Sequence, residues 1–267
     1  MLELTPLLKA VILGIVEGLT EFLPISSTGH LILASELLDF NNSEKDKAFL
    51  IVIQIGAMLA VMWHYRVKFF QLAVGVFYRR AEQLFILRLF IAFLPAAIVG
   101  LLFGNWIQAN LFGAVPVAVA LIVGAAVILI VERSYKDWHI EHLDQIGWRY
   151  ALLIGLAQCF ALVPGVSRAG ATIIGGMLCG LSRKAATEFS FFLAVPTLIA
   201  AGGYDLIKHR DDFVAGDAAL LAVGTVVSFV AALICVRWLL RFVSGHTFTP
   251  FAWYRVVLGA IILFVMW

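Results

Sequence analysis

Charge is scarce in this chain. Asp, Glu, Lys and Arg make up 13% of its 267 residues, against 63% apolar. A water-soluble domain carries about 25% charged and about 45–50% apolar residues. A globule of this size cannot bury such an excess, so lipid must be the solvent for much of it. The formal net charge is only +2, and no basic tail exists to bind nucleic acid, which excludes that partner. Cysteine is sparse too. Cys159, Cys179 and Cys235 are odd in number, scattered and without C-x-x-C spacing, which excludes a disulfide framework and a zinc site. The opening Met1-Leu2-Glu3-Leu4 has no basic region, and Glu17 and Glu21 follow, so a cleavable signal is not expected. Thr5-Pro6 reads instead as a helix N-cap followed by proline in the first turn.

What the chain has is long apolar runs. Six are long enough to cross a hydrocarbon core about 30 Å thick, centred on Phe49–Trp63, Leu84–Ile107, Leu111–Val131, Phe189–Tyr204, Ala218–Val236 and Phe251–Trp267. None alternates as a barrel strand does, so the expected fold is an all-α integral membrane protein with six transmembrane helices. Two further apolar regions are broken. Leu7–Leu23 contains Glu17 and Glu21 and stops at Pro24-Ile25-Ser26-Ser27-Thr28-Gly29-His30; Leu152–Val163 stops at Pro164-Gly165-Val166-Ser167-Arg168-Ala169-Gly170-Ala171-Thr172. Proline removes a helical hydrogen bond, so each is expected to be a re-entrant hairpin of two half-helices.

The two broken regions resemble each other. Gly14 matches Gly155, Glu17 matches Gln158, Pro24 matches Pro164 and Ser27 matches Ser167, with one gap. One hairpin plus three crossings, taken twice, divides the chain into repeats at 1–135 and 136–267. Three crossings are odd in number, so the second copy enters from the opposite side: an inverted-topology repeat. Arg66, Lys68, Arg79 and Arg80, then Arg133, Lys136 and Arg149, then Arg237 and Arg241 mark the cytoplasmic loops. Both termini, the first hairpin and the Leu37–Asp46 segment then face outward. Lys208 and Arg210 fall on the outer side, accompanied by Asp211, Asp212 and Asp217.

Glu17 and Glu21, four apart, share a helix face, and two carboxylates in an apolar segment need a cation, a shared proton or water. A hard divalent ion such as Mg²⁺ or Ca²⁺ takes such oxygen ligands. Ser26-Ser27-Thr28-Gly29-His30 offers hydroxyls, an imidazole and the amides of a helix start, where phosphate binds well. In Pro164–Thr172, Gly165 and Gly170 permit close backbone approach, Ser167 and Thr172 donate hydroxyls, and Arg168 is a permanently charged fork for phosphate oxygens. Ser27 or a water is the expected nucleophile, and His30 or Glu21 moves the proton. Ser26, Thr28, Gly165, Ser167, Thr172 and Gln158 complete a substrate cradle, and Glu17 and Glu21 hold the metal. Glu188 reads as a first-turn partner of its helix dipole. Gln54 and Gln158 either face the cavity or bond between helices, and Tyr254 and Arg255 read as interfacial anchors.

The run Glu17–His30 together with Pro164-Gly165-Val166-Ser167-Arg168 closely resembles the bacterial undecaprenyl-diphosphate phosphatases of the bacitracin-resistance family. Gln158, Glu188–Pro196 and Pro250-Phe251-Ala252-Trp253-Tyr254-Arg255 are similar to it as well. Family members often carry serine after the motif arginine, where this chain has Ala169. The resemblance implies hydrolysis of undecaprenyl diphosphate to the monophosphate and inorganic phosphate, recycling a lipid carrier of peptidoglycan synthesis. It also implies a multi-pass protein of the bacterial inner membrane with its site open to the periplasm, dependence on Mg²⁺ or Ca²⁺, and bacitracin resistance. A transporter or flippase of an anionic polyprenyl lipid is the alternative, since inverted repeats are transporter hardware. A nucleophile clustered with a base favours the enzyme. The sequence leaves oligomeric state open, a homodimer included.

Overall fold

The computed structural model describes residues 5–40, 44–135, 137–208 and 218–265. Lys136, Arg210, Asp211, Asp212, Asp217 and Trp267, used above for orientation, lie outside them, as does part of the Leu37–Asp46 segment. The described residues form helices, with one isolated bridge between Ile140 and Leu181. In chain order the helices are α1 (Pro6–Thr20), α2 (Ser27–Leu37), α3 (Glu44–His64), α4 (Arg66–Gly75), α5 (Arg80–Leu111), α6 (Ala114–Ser134), α7 (Trp148–Cys159), α8 (Arg168–Leu178), α9 (Arg183–Lys208), α10 (Ala218–Val243) and α11 (Thr249–Val265). A 3-10 turn over Phe160–Leu162 follows α7.

Thr5 caps α1 by accepting from the Leu8 N–H, with Pro6 in the first turn, as its sequence suggests. Among the described residues, four helices are long and apolar enough to cross a membrane: α5, α6, α10 and Arg183–Gly203 of α9. A fifth arises only if α3 and α4 count as one span, and they bend by 80° at Tyr65. Of the six expected crossings, α3 and α11 are thus the two that fall short of that standard. Side chains such as Leu101, Leu102, Ile130 and Phe160 point outward, where lipid removes any reason to hide them.

α10 packs between α1 and α3, α7 lies along α5, α6 along α11, and α9 meets both α3 and α8. Two glycines let backbones touch. A Cβ on Gly18 would lie 2.4 Å from the Ser228 carbonyl, and one on Gly56 2.3 Å from that of Thr225, so α10 accepts only small neighbours there. Glu132 at the end of α6 accepts from Arg183 and from the Phe248 N–H (2.7 Å), tying the starts of α9 and α11 together. The three cysteines are free thiols.

Both expected breaks are present. Between α1 and α2 the chain turns through Phe22–Ile25; between α7 and α8 it turns through Val163–Val166. Each turn ends on a serine with left-handed backbone, Ser26 at φ 69° and Ser167 at φ 78°. Each serine caps the helix that follows, accepting from the N–H of Gly29 or Gly170. The structural counterpart of Ser167 is therefore Ser26, not the Ser27 matched from sequence. With that change one interval relates Gly14 to Gly155, Glu17 to Gln158, Ser26 to Ser167 and Gly29 to Gly170, while Pro24 and Pro164 fall one position out of step.

Candidate active site

The two turns meet. The Ser167 hydroxyl donates to the Leu23 carbonyl at 3.3 Å, and between the turns lies a cavity of about 240 Å³. Its polar wall is Glu21, Ser26, Ser27, Thr28, Ser167 and Arg168, with Gln54 and Gln158 beside them. Ala96, Ala161, Leu162, Leu198 and Ala201 make the rest apolar. Ser27 and Arg168 open α2 and α8. First-turn amides have no acceptor within their own helix, so two helix starts offer N–H groups to an anion. Gly165 reaches φ +95°, and a Cβ there would sit 2.5 Å from the Val117 carbonyl; glycine allows this turn against α6.

Glu21 is the hub of the polar wall. One carboxylate oxygen accepts from the Ser27 hydroxyl at 2.5 Å, the other from Arg168 Nη2 at 3.0 Å. Arg168 Nη1 donates to the Ser190 carbonyl at 3.1 Å, the guanidinium lies over the Phe22 ring, and Nε has no partner. Glu17 sits behind Glu21, fully buried, and no N–H or hydroxyl donates to either of its carboxylate oxygens, whose close polar neighbour is the Glu21 carboxylate. Gln158 accepts from Thr197 at 3.4 Å while its Nε2 is buried without an acceptor.

Other expected residues sit behind or beside the wall. Thr172 is buried behind Arg168, donating to its carbonyl and bonded at 2.6 Å to the Ser190 hydroxyl. His30 Nδ1–H donates to the Ser26 carbonyl at 2.7 Å, so Nε2 accepts from the Tyr254 hydroxyl at 2.7 Å. Both ring nitrogens are engaged away from Ser27. Sequence reasoning missed Ser190 and Thr197, hydroxyls on an apolar helix whose direction no motif announces. It also misjudged Arg255, which is 1% exposed rather than an interfacial anchor.

The family described as bacitracin resistance protein BacA matches residues 10–261 of this chain. The chain is 60% identical over 257 residues to the undecaprenyl-diphosphatase of Dechloromonas aromatica, covering 96% of this chain and 93% of that one. It is 59% identical to the undecaprenyl-diphosphatase of Nitrosospira multiformis, covering 96% and 94%. It is 55% identical over 266 residues to undecaprenyl-diphosphatase 2 of Rhodospirillum rubrum, covering 100% and 97%.

Proposed function

The chain belongs to the bacitracin resistance protein BacA family, and from that premise we propose that it is a membrane phosphatase converting undecaprenyl diphosphate to undecaprenyl phosphate and inorganic phosphate. The observation that carries the chemistry is the Ser27 hydroxyl, 2.5 Å from the Glu21 carboxylate, on the same cavity wall as Arg168. The diphosphate enters between the two turns, where Arg168, the first-turn amides of α2 and α8, and Gln158 hold its oxygens. Ala96, Leu162 and Leu198 receive the first part of the prenyl tail, and the remainder lies in the bilayer. Ser27 Oγ attacks the terminal phosphorus as its proton passes to Glu21. The bond from that phosphorus to the bridging oxygen breaks, and the lipid monophosphate leaves with the proton that Glu21 took from Ser27, which restores the carboxylate. Water, giving its proton to that carboxylate, then attacks the phosphorus, and the bond from Ser27 Oγ to phosphorus breaks to release phosphate. Glu21 is favoured over His30 as base because both imidazole nitrogens are already engaged.

The donor set suits a divalent cation. Glu17 offers two buried oxygens that receive no donor and face Glu21, and Mg²⁺ is often held by one or two carboxylates plus substrate phosphate oxygens. Glu17 and Glu21 would hold the ion, which when bound offsets negative charge on the phosphate. Phosphate release from purified protein in detergent tests the activity and the metal together. Chelation with EDTA is expected to abolish release, with Mg²⁺ or Ca²⁺ restoring it; full activity in chelator would remove the metal. Glu17→Gln should lose about 10²- to 10³-fold in rate. Its melting temperature in chelator should hold or rise, because an uncompensated buried carboxylate has gone.

We read the architecture as six crossings plus two re-entrant hairpins in an inverted repeat, in the bacterial inner membrane, with the site open to the periplasm. Support comes from the packing: α1 lies on α10 as α7 lies on α5, while α3 meets α9 and α6 meets α11, each helix against its counterpart in the other repeat. Orientation follows from the basic loops. With the native cysteines replaced, Phe112→Cys should react with an impermeant maleimide in intact spheroplasts, and Tyr78→Cys only after lysis. Both positions are exposed. The reverse pattern would overturn the orientation.

A further inference from the structure

Arg255, near the start of α11, is buried in the protein interior, and its charge is met by backbone carbonyls rather than by a carboxylate. All its guanidinium donors go to backbone carbonyls. Nε reaches Leu121 at 3.1 Å; Nη1 reaches Pro24 at 3.1 Å and Val166 at 2.9 Å; Nη2 reaches Ala120 at 3.1 Å and Gly165 at 3.0 Å. These use up the five N–H groups that a guanidinium carries. Pro24 belongs to the turn before Ser27, Gly165 and Val166 to the turn before Arg168, and Ala120 and Leu121 to α6. One rigid planar group therefore sets the spacing of both turns against a fixed helix. The neighbouring Tyr254 acts on the same segment through His30, whose Nδ1–H holds the Ser26 carbonyl.

Space for the guanidinium is reserved in α6. A Cβ on Gly124 would stand 2.1 Å from Arg255 Nη2 and 2.8 Å from Cζ. Elsewhere an arginine tip could swing aside, but here its bonds pin it on every edge.

We propose that Arg255 is a positioning residue for the hydrolysis: it touches no substrate, and it fixes Ser27 relative to Arg168 by holding the two turns at one separation. This rests on the phosphatase reading, in which those two residues meet the same phosphate. Lysine replaces it only in part, since a single ammonium has three donors at one point and cannot bridge carbonyls on opposite sides.

The decisive variant leaves Arg255 in place. Gly124→Ala pushes the guanidinium off its carbonyls, while alanine is the better helix former in mid-α6. Phosphate release from a polyprenyl diphosphate, with kcat and KM resolved, is measured for wild type, Gly124→Ala, Arg255→Lys and Arg255→Met, beside thermal unfolding in the same detergent. Displacement of a reacting group by about 1 Å costs up to about 100-fold. At a temperature where wild type and variant are both folded, Gly124→Ala should therefore lose about 10- to 100-fold in kcat, with KM within about threefold, although its melting temperature falls with the buried hydrogen bonds it breaks. Arg255→Lys should regain part of what Arg255→Met loses. Full kcat in Gly124→Ala, a change confined to KM, or losses that only track melting temperature would each overturn the assignment. Wild-type release in the same assay carries the phosphatase reading separately.

Discussion

Arg168→Lys is expected to lower phosphate release about 30- to 1,000-fold, the effect of losing roughly 2–4 kcal/mol of charge-assisted contact in a dry site. Lysine keeps the charge, so the loss measures geometry. Arg168 already spends one nitrogen on Glu21 and one on the Ser190 carbonyl, and its Nε has no partner. The protons still free on that fork are what a phosphate can engage. Arg168→Ala should do more, because Glu21 then loses its cation. Breaking a buried ion pair costs about 3–5 kcal/mol, so this variant should melt earlier as well as turn over more slowly. Combining Arg168→Met with Glu21→Gln removes the stranded charge; melting should recover while turnover stays low. Near-normal release from both single variants would refute the phosphate cradle.

Removing the attacking group should have the largest effect. Ser27→Ala is expected to reduce kcat by on the order of 10³-fold or more, as loss of a nucleophile does elsewhere. Glu21→Gln should lose about 10²- to 10⁴-fold, the range for a positioned base. The two losses should not add, because each disables the same proton transfer. If water were the nucleophile, Ser27→Ala would keep rates within about tenfold, since only a hydrogen bond to Glu21 would be missing. Acid-quenched enzyme examined by mass spectrometry adds an independent reading: a phosphorylated Ser27 peptide is expected during turnover and absent from Ser27→Ala.

Much of this was legible in the residues because the membrane leaves few options. Apolar length announces a spanning helix, and Pro24 and Pro164 fall in the turns that end α1 and the segment after α7. Glu21, Ser27 and Arg168 were picked out as costly polar groups in apolar runs, and they line one cavity. Three things were not legible. The sequence ends the crossing at Trp63 and reads Arg66 and Lys68 as part of a loop, whereas that stretch forms α4, bent by 80° from α3, with Leu72 buried and Phe69 packed against the core. The serine that caps α2 is settled by backbone conformation, and Ser26 and Ser27 are chemically alike. The roles of His30 and Arg255 depend on partners far away in sequence, Tyr254 in one case and Pro24 and Val166 in the other. A buried arginine whose partners are carbonyls leaves no acidic counterpart to find.

Arg255 also bears on the order in which the protein is made. Its bond to Pro24 closes a separation of 231 residues, nearly the whole chain. Glu17, Glu21, Ser27 and Arg168 all leave the ribosome before it does. A nascent chain thus holds all four of those side chains while this bond across the two turns is still unsynthesised. Translation that stops before α11 would leave the turns joined by the Ser167–Leu23 and Arg168–Glu21 contacts alone, and on the proposed role of Arg255 such a chain would be a poor catalyst.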